Sequence, residues 1–172
     1  MPARRLLAPL ALAFVSLLGI SGSAAAQGVG LPVGTELPDF VSTDLDGDEI
    51  HIRDVIVEGR PAIIEIWATW CAICTALQPT MEEIRQAHGD EVSMVAIAVS
   101  VNQTREEVVE HVERFGHDWP FLYDEDGAAV RALNVFGTGI VILVDRDGLI
   151  AWSSVGTPHR LVQELEKLLR AR

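Results

Sequence analysis

The sequence predicts an α/β protein: a mixed β-sheet with helices on both faces. Three observations carry this. Short apolar runs rich in β-branched residues, Pro61–Trp67, Val92–Val99 and Ile140–Val144, alternate with segments of helical spacing. Those runs are apolar at nearly every position, as in strands covered on both sides. The last two strands meet at Asp147-Gly148, a tight turn that joins antiparallel neighbours, so the sheet is mixed.

Taken in order, Phe40–Ser42 and Glu49–Ile52 flank Asp46-Gly47 and predict a hairpin. Pro61–Trp67 is a buried strand. Cys71–Ala87 has helical spacing, with Ile73, Leu77, Ile84 and Ala87 on one side. Val92–Val99 is a second buried strand. Thr104–Phe115 is a helix whose Thr104 and Glu107 form a capping box. Phe121–Tyr123 is a short strand and Ala128–Leu133 a short helix. Ile140–Val144 and Leu149–Ser153 are the final strands. Thr157 caps the last helix, with Pro158 in its first position.

Residues 1–26 have the layout of a secretory signal peptide: a basic start at Arg4-Arg5, an apolar run Leu6–Ile20, and small residues ending in Ala24-Ala25-Ala26. The run is broken by Pro9 and is shorter than the roughly 20 residues of a membrane span, which is the competing reading. No cysteine follows it, so lipid attachment there is excluded. Residues 27–36 are expected to be a flexible lead-in and 37–172 a single domain. The chain holds 25 acidic residues against 13 basic ones, two of which lie in the leader. That balance argues against nucleic acid and anionic membranes as partners. The expected product is a soluble periplasmic, or otherwise extracytoplasmic, protein.

The segment WATWCAIC, Trp67–Cys74, holds both cysteines of the chain. They fall where the first central strand runs into its helix. A thiolate at a helix N-terminus is stabilised by unpaired backbone N–H groups and the dipole. Cys71 is placed there, and Cys74 one turn on along the same face. One sulfur can therefore attack a disulfide while the other resolves the mixed disulfide. Cys71, nearer the helix end and more exposed, is the expected nucleophile, and Cys74 the more buried resolving thiol. The competing readings are weaker. A structural zinc needs four ligands, and His51, His88, His111, His117 and His159 show no ligand spacing. A structural disulfide closing so short a loop constrains the unfolded chain little.

These residues resemble the active-site segment of thioredoxin-fold proteins, and the flanks resemble the exported TlpA/ResA-type thiol–disulfide oxidoreductases. Leu37-Pro38-Asp39-Phe40 followed by Asp46-Gly47 is similar to that family's N-terminal hairpin. Pro79 is similar to the proline that kinks its first helix. Val135–Asp145 with Asp147-Gly148 is similar to the segment leading into its last hairpin. The likeness runs from Val33 to Leu169. It implies thiol–disulfide exchange with cysteine-containing exported proteins, electrons from a membrane thiol-reductant transporter, and in some relatives apocytochrome c as substrate. It implies no cofactor and no resident metal.

Glu65 stands where thioredoxin carries a buried aspartate. A carboxyl buried beneath the disulfide has a raised pKa and can take the Cys74 proton. The alternative is an acid on an edge strand or paired with an arginine. Trp70 is expected on the docking surface, with Ala72 and Ile73 as the dipeptide that tunes redox potential. Two positions depart from the family pattern. Leu77 stands where relatives have glutamate. Gly139, in Gly137-Thr138-Gly139, stands where relatives have a cis-proline facing the disulfide. A cis bond before a non-proline residue costs about 2.5–4 kcal/mol, so Thr138–Gly139 is expected to be trans. Glycine there is expected to loosen the loop and open the site, with Thr138 and Gly139 still contacting the partner.

The leading expectation is an exported oxidoreductase acting as a reductase, a direction implied by the family resemblance alone. The acidic surroundings, which disfavour a Cys71 thiolate, agree with it. The alternative is a periplasmic copper chaperone using the two thiolates, reached through the glycine loop. A peroxidase is weaker, because Thr69 lies two residues before Cys71, not three.

Overall fold

The computed structural model describes residues 29–171, so the expected signal peptide lies outside the described residues. Seven strands form one sheet. They are β1 (Val41–Asp44), β2 (Glu49–His51), β3 (Ala62–Trp67), β4 (Ser93–Val99), β5 (Phe121–Asp124), β6 (Ile140–Val144) and β7 (Ile150–Val155). Their order across the sheet is β2-β1-β5-β4-β3-β6-β7. β3, β4 and β5 are parallel neighbours. β6 joins β3 antiparallel, and β7 joins β6 antiparallel. The mixed sheet expected from the last turn is therefore present. Every residue of β3, β4 and β6 is buried, so both faces are covered.

The helices are α1 (Ile52–Val55), α2 (Ala72–His88), α3 (Arg105–Phe115), α4 (Ala128–Ala132) and α5 (Pro158–Arg170). β3, β4 and β5 step in one direction, so right-handed crossovers put α2 and α3 on one face. α5 packs beside α2, and α4 lies against β1 and β5. The core is built from fully buried aliphatics such as Ile63, Ile64, Ile66 and Ile97, with Trp67 among them. Each such side chain contributes roughly 1.5–3 kcal/mol of burial.

Four local readings change. The single turn α1 was not legible as a helix. The buried stripe of α2 is Cys74, Leu77, Met81 and Ile84, a strict i, i+3, i+7, i+10 series. Ile73 and Ala87, in the first and last turns of the helix, are exposed, against the expectation. Thr157 precedes α5 but makes no side-chain cap, because its hydroxyl bonds Ser154 Oγ instead. Finally, the expected flexible lead-in is tied down from residue 29. Ser153 Oγ donates to Val29 O, Leu31 N–H to Leu133 O, and Gly34 N–H to Ile150 O. The α3 capping box is present in both directions, with Glu107 N–H to Thr104 Oγ1 and Thr104 N–H to Glu107 Oε2.

Candidate active site

Cys71 is the N-cap of α2, extended at φ −88° and ψ 102°, and its Sγ accepts from the Cys74 N–H at 3.2 Å. Cys71 and Cys74 are joined as a disulfide, with Cα atoms 5.3 Å apart. No acidic residue lies in the first turn of α2, so the positive end of the dipole is not offset there. The helix itself therefore brings no acidic side chain against a Cys71 thiolate. Cys71 is 6% exposed and Cys74 1%. The order is the expected one, yet both sulfurs belong to buried residues.

The loop before Cys71 is held from β4. Thr69 donates through its N–H and its hydroxyl to Gln103 Oε1, and Gln103 Nε2 donates to Val99 O. Trp70 is half exposed, and its indole N–H donates to Val101 O at 2.9 Å. Ala72 and Ile73 are both exposed at the helix start. Trp70, Val101, Phe136 and Thr138 line an apolar groove of about 520 Å³.

Gly139 faces the disulfide: a Cβ there would lie 3.7 Å from Cys71 Sγ. The Thr138–Gly139 peptide is trans. Gly139 takes φ +71°, a region that favours glycine, and its N–H donates to Ile66 O. The expectation of an opened site is corrected here. The room that glycine leaves is filled by Ile73, whose Cγ2 would be 2.9 Å from that same Cβ.

Glu65 is completely buried on β3, paired with Ala96 of β4 and Val141 of β6. The edge-strand alternative is thereby corrected, since β3 is central. Its side chain points to the same face as that of Trp67, two residues on, and that face is covered by α2 and α3. Burial pushes its carboxyl up to about 8, while the Gln78 side chain on α2 acts in the opposite direction. Neither carboxylate oxygen has a hydrogen-bond partner among the described residues, and the same holds for Gln78 Oε1.

A second cavity of about 320 Å³ lies between α2 and α3, lined by Trp67, Cys74, Gln78, His111, Phe115 and His117. The histidines here are not solvated surface groups. His111 packs on Trp67 at 5.2 Å, and His117 stacks on Trp119 at 4.4 Å. Burial, then Arg114 and His117, hold the His111 pKa down. Among the described residues no group of three or more His, Cys, Asp or Glu side chains is placed to hold a metal. Gln103 and Gln78 were missed in the sequence because a glutamine carries no periodic or motif signal.

The family model Redoxin matches residues 32–169. The thiol-disulfide oxidoreductase ResA of Geobacillus kaustophilus is 30% identical over 139 residues, covering 81% of this chain and 77% of the relative. The thioredoxin-like protein YneN of Bacillus subtilis is 28% identical over 142 residues, covering 82% and 81%. Among solved structures, the thioredoxin domain of a thiol-disulfide oxidoreductase from Bacteroides vulgatus superposes with a TM-score of 0.68 at 20% identity, over 80% of this chain and 97% of that one. StoA from Bacillus subtilis superposes at 0.60 with 21% identity, over 75% and 97%. These last two are likenesses of fold.

Proposed function

The chain belongs to the Redoxin family and is a thiol–disulfide oxidoreductase of the TlpA/ResA type, and from that premise we propose that it is an exported reductase of protein disulfides. The observation that carries the proposal is the disulfide at the N-cap of α2, with an ionisable carboxyl buried on the strand of the same face. In the reduced protein the Cys71 thiolate attacks a substrate disulfide and one substrate sulfur leaves as a thiolate. Cys74 then attacks Cys71 Sγ, the mixed disulfide breaks, and the second substrate thiol departs. Glu65 takes the Cys74 proton. Its pKa of about 8 lies close to that of an ordinary thiol, about 8.5, which suits proton exchange in either direction.

The reductase direction is carried over by analogy with the family. The burial of Cys74, 1% exposed, supports it, since burial disfavours the charged form of a thiol and a reduced pair with little thiolate stabilisation is the more reducing one. The substrates are cysteine-containing exported proteins docking on Trp70, Ala72, Ile73, Thr138 and Gly139, apocytochrome c being one candidate. A membrane thiol-reductant transporter returns the electrons.

The test is a redox titration of the protein in dithiothreitol or glutathione buffers, read by alkylation of Cys71 and Cys74. A two-electron potential near or below about −250 mV supports the reductase. A value near about −120 mV turns the reading to an oxidant. Failure to form the disulfide moves it to a two-thiolate copper site.

A further inference from the structure

We propose that Ile73 is a selectivity lid over the sulfur of Cys71, seated on Gly139 and Gly156, which keeps small thiols off the disulfide and yields to a docked polypeptide. Ile73 belongs to the first turn of α2 and is 47% exposed, yet its inner atoms are closely held. A Cβ on Gly156 would come 2.2 Å from Ile73 Cγ2. A Cβ on Gly139 would come 2.9 Å from the same Cγ2, 3.2 Å from Ile73 Cβ and 3.7 Å from Cys71 Sγ. Only glycine at both positions leaves room for Ile73 where it stands. Both glycines take positive φ, +71° and +44°.

The seat is anchored. Gly156 N–H donates to Gly139 O at 2.8 Å, and Gly139 N–H donates to Ile66 O of β3 at 2.8 Å. One point above Gly139 thus touches both Ile73 and the Cys71 sulfur, and the approach to Sγ across that point is closed. This accounts for a Cys71 that is nearly covered although its neighbours Trp70 and Ala72 are exposed.

The step the lid controls is attack on the oxidised protein. A donor thiolate attacks Cys71 Sγ and forms a new S–S bond. The Cys71–Cys74 bond breaks, and Cys74 leaves with the electron pair as a thiolate. A second donor thiolate then resolves the mixed disulfide, so two donor thiols are oxidised and one disulfide is reduced. A polypeptide settling on exposed Trp70, Val101 and Phe136 has binding energy with which to displace Ile73. Glutathione has no comparable apolar contacts. A lid slows exchange in both directions and leaves the potential fixed, whereas tuning by the dipeptide moves the potential.

The inference rests on exchange at Cys71 and not on the proposed direction or substrates. The experiment measures rate constants for reduction of the oxidised protein by glutathione and by reduced, unfolded ribonuclease, with the Cys71–Cys74 potential in parallel. In Ile73→Ala the rate constant for glutathione itself is expected to rise about tenfold, the loss of roughly 1.4 kcal/mol of shielding, at an unmoved potential. The ratio to the ribonuclease rate constant rises with it. A ratio raised only by a slower ribonuclease reaction marks lost docking and overturns the lid. Ile73→Val retains the Cβ and a γ-methyl and is expected to restore the low ratio. Gly156→Ala unseats Ile73 from below and raises the ratio, but not on top of Ile73→Ala. An unchanged ratio in Ile73→Ala overturns the lid, as does a shifted potential that accounts for the rates. Should Gly156→Ala not fold, the two Ile73 variants decide alone. A protein that never forms the disulfide sinks the reductase reading instead.

Discussion

Gln103 grips Thr69 at two points: its Oε1 accepts from the Thr69 N–H at 2.8 Å and from the Thr69 hydroxyl at 2.7 Å. The amide nitrogen of Gln103 donates to Val99 O, and its backbone carbonyl accepts from the Tyr123 hydroxyl. One buried side chain therefore ties the loop before Cys71 to the end of β4.

Gln103→Leu removes the acceptor for Thr69 and the donor for Val99 while preserving bulk. With buried polar groups left unpaired, it is expected to cost roughly 2–4 kcal/mol in urea unfolding. It also frees the Trp70 loop, so Trp70 emission is expected to shift toward that of a solvated indole. An unaltered stability would show that water replaces the amide without cost.

Glu65 makes stability depend on pH with a definite sign. Its folded pKa, about 8, is above its ordinary value of 4.5, so the folded state holds the proton more tightly. Its contribution is complete below pH 4.5 and is lost as pH rises through about 8. Glu65→Gln keeps the shape and cannot ionise. It is expected to flatten the fall in stability across that window and to exceed the parent at alkaline pH by several kcal/mol. The same substitution is expected to flatten the pH dependence of mixed-disulfide resolution by Cys74. A resolving rate with the parent's pH profile would remove Glu65 from the proton path.

Asp124 is buried at the end of β5 and receives two backbone N–H groups of α4, Ala129 on Oδ1 at 2.9 Å and Val130 on Oδ2 at 3.1 Å. The N-cap of α4 is Gly127, which has no side chain to offer. Asp124→Ala leaves both donors orphaned and is expected to cost about 2–4 kcal/mol. Hydrogen exchange at Ala129 and Val130 should report the loss directly.

Gly139→Pro, which places there the proline that the family pattern leads one to expect, is expected to harm this chain. Proline needs φ near −65°, and Gly139 has φ +71°. The change also removes the N–H donated to Ile66 O and places a ring where Ile73 sits. A cost of about 3 kcal/mol or more is expected in guanidinium unfolding. A stabilised variant would mean that the loop can adopt the relatives' geometry.

The larger architecture was legible because it depends on patterns that the backbone enforces. Ile-rich runs, the Asp147-Gly148 turn and the Thr104/Glu107 box each have one common structural outcome. The cysteines were legible from spacing, and the burial of Glu65 from its isoleucine neighbours. What escaped depends on contacts between distant segments. Gln103 meets Thr69 across 34 residues, and Asp124 caps a helix from outside the usual N-cap position. Helical spacing assigns Ile73 to the core stripe, where apolar residues so placed usually lie. Its actual seat requires Gly156, which lies far along the chain and shows no signal of its own.

The tie between the N-terminal segment and β7 has a consequence for solubility. Gly34 N–H donates to Ile150 O, Ile150 N–H to Thr35 O, and Glu36 bridges to Leu149. These bonds occupy backbone groups at the start of the outermost strand, which would otherwise be open to any passing extended chain. At the opposite margin β2 has only three residues and sets exposed Glu49 and His51 outward. A chain shortened to Leu37 keeps its redox pair but uncovers the Ile150 margin. Self-association through strand pairing then becomes the failure to watch for at high concentration.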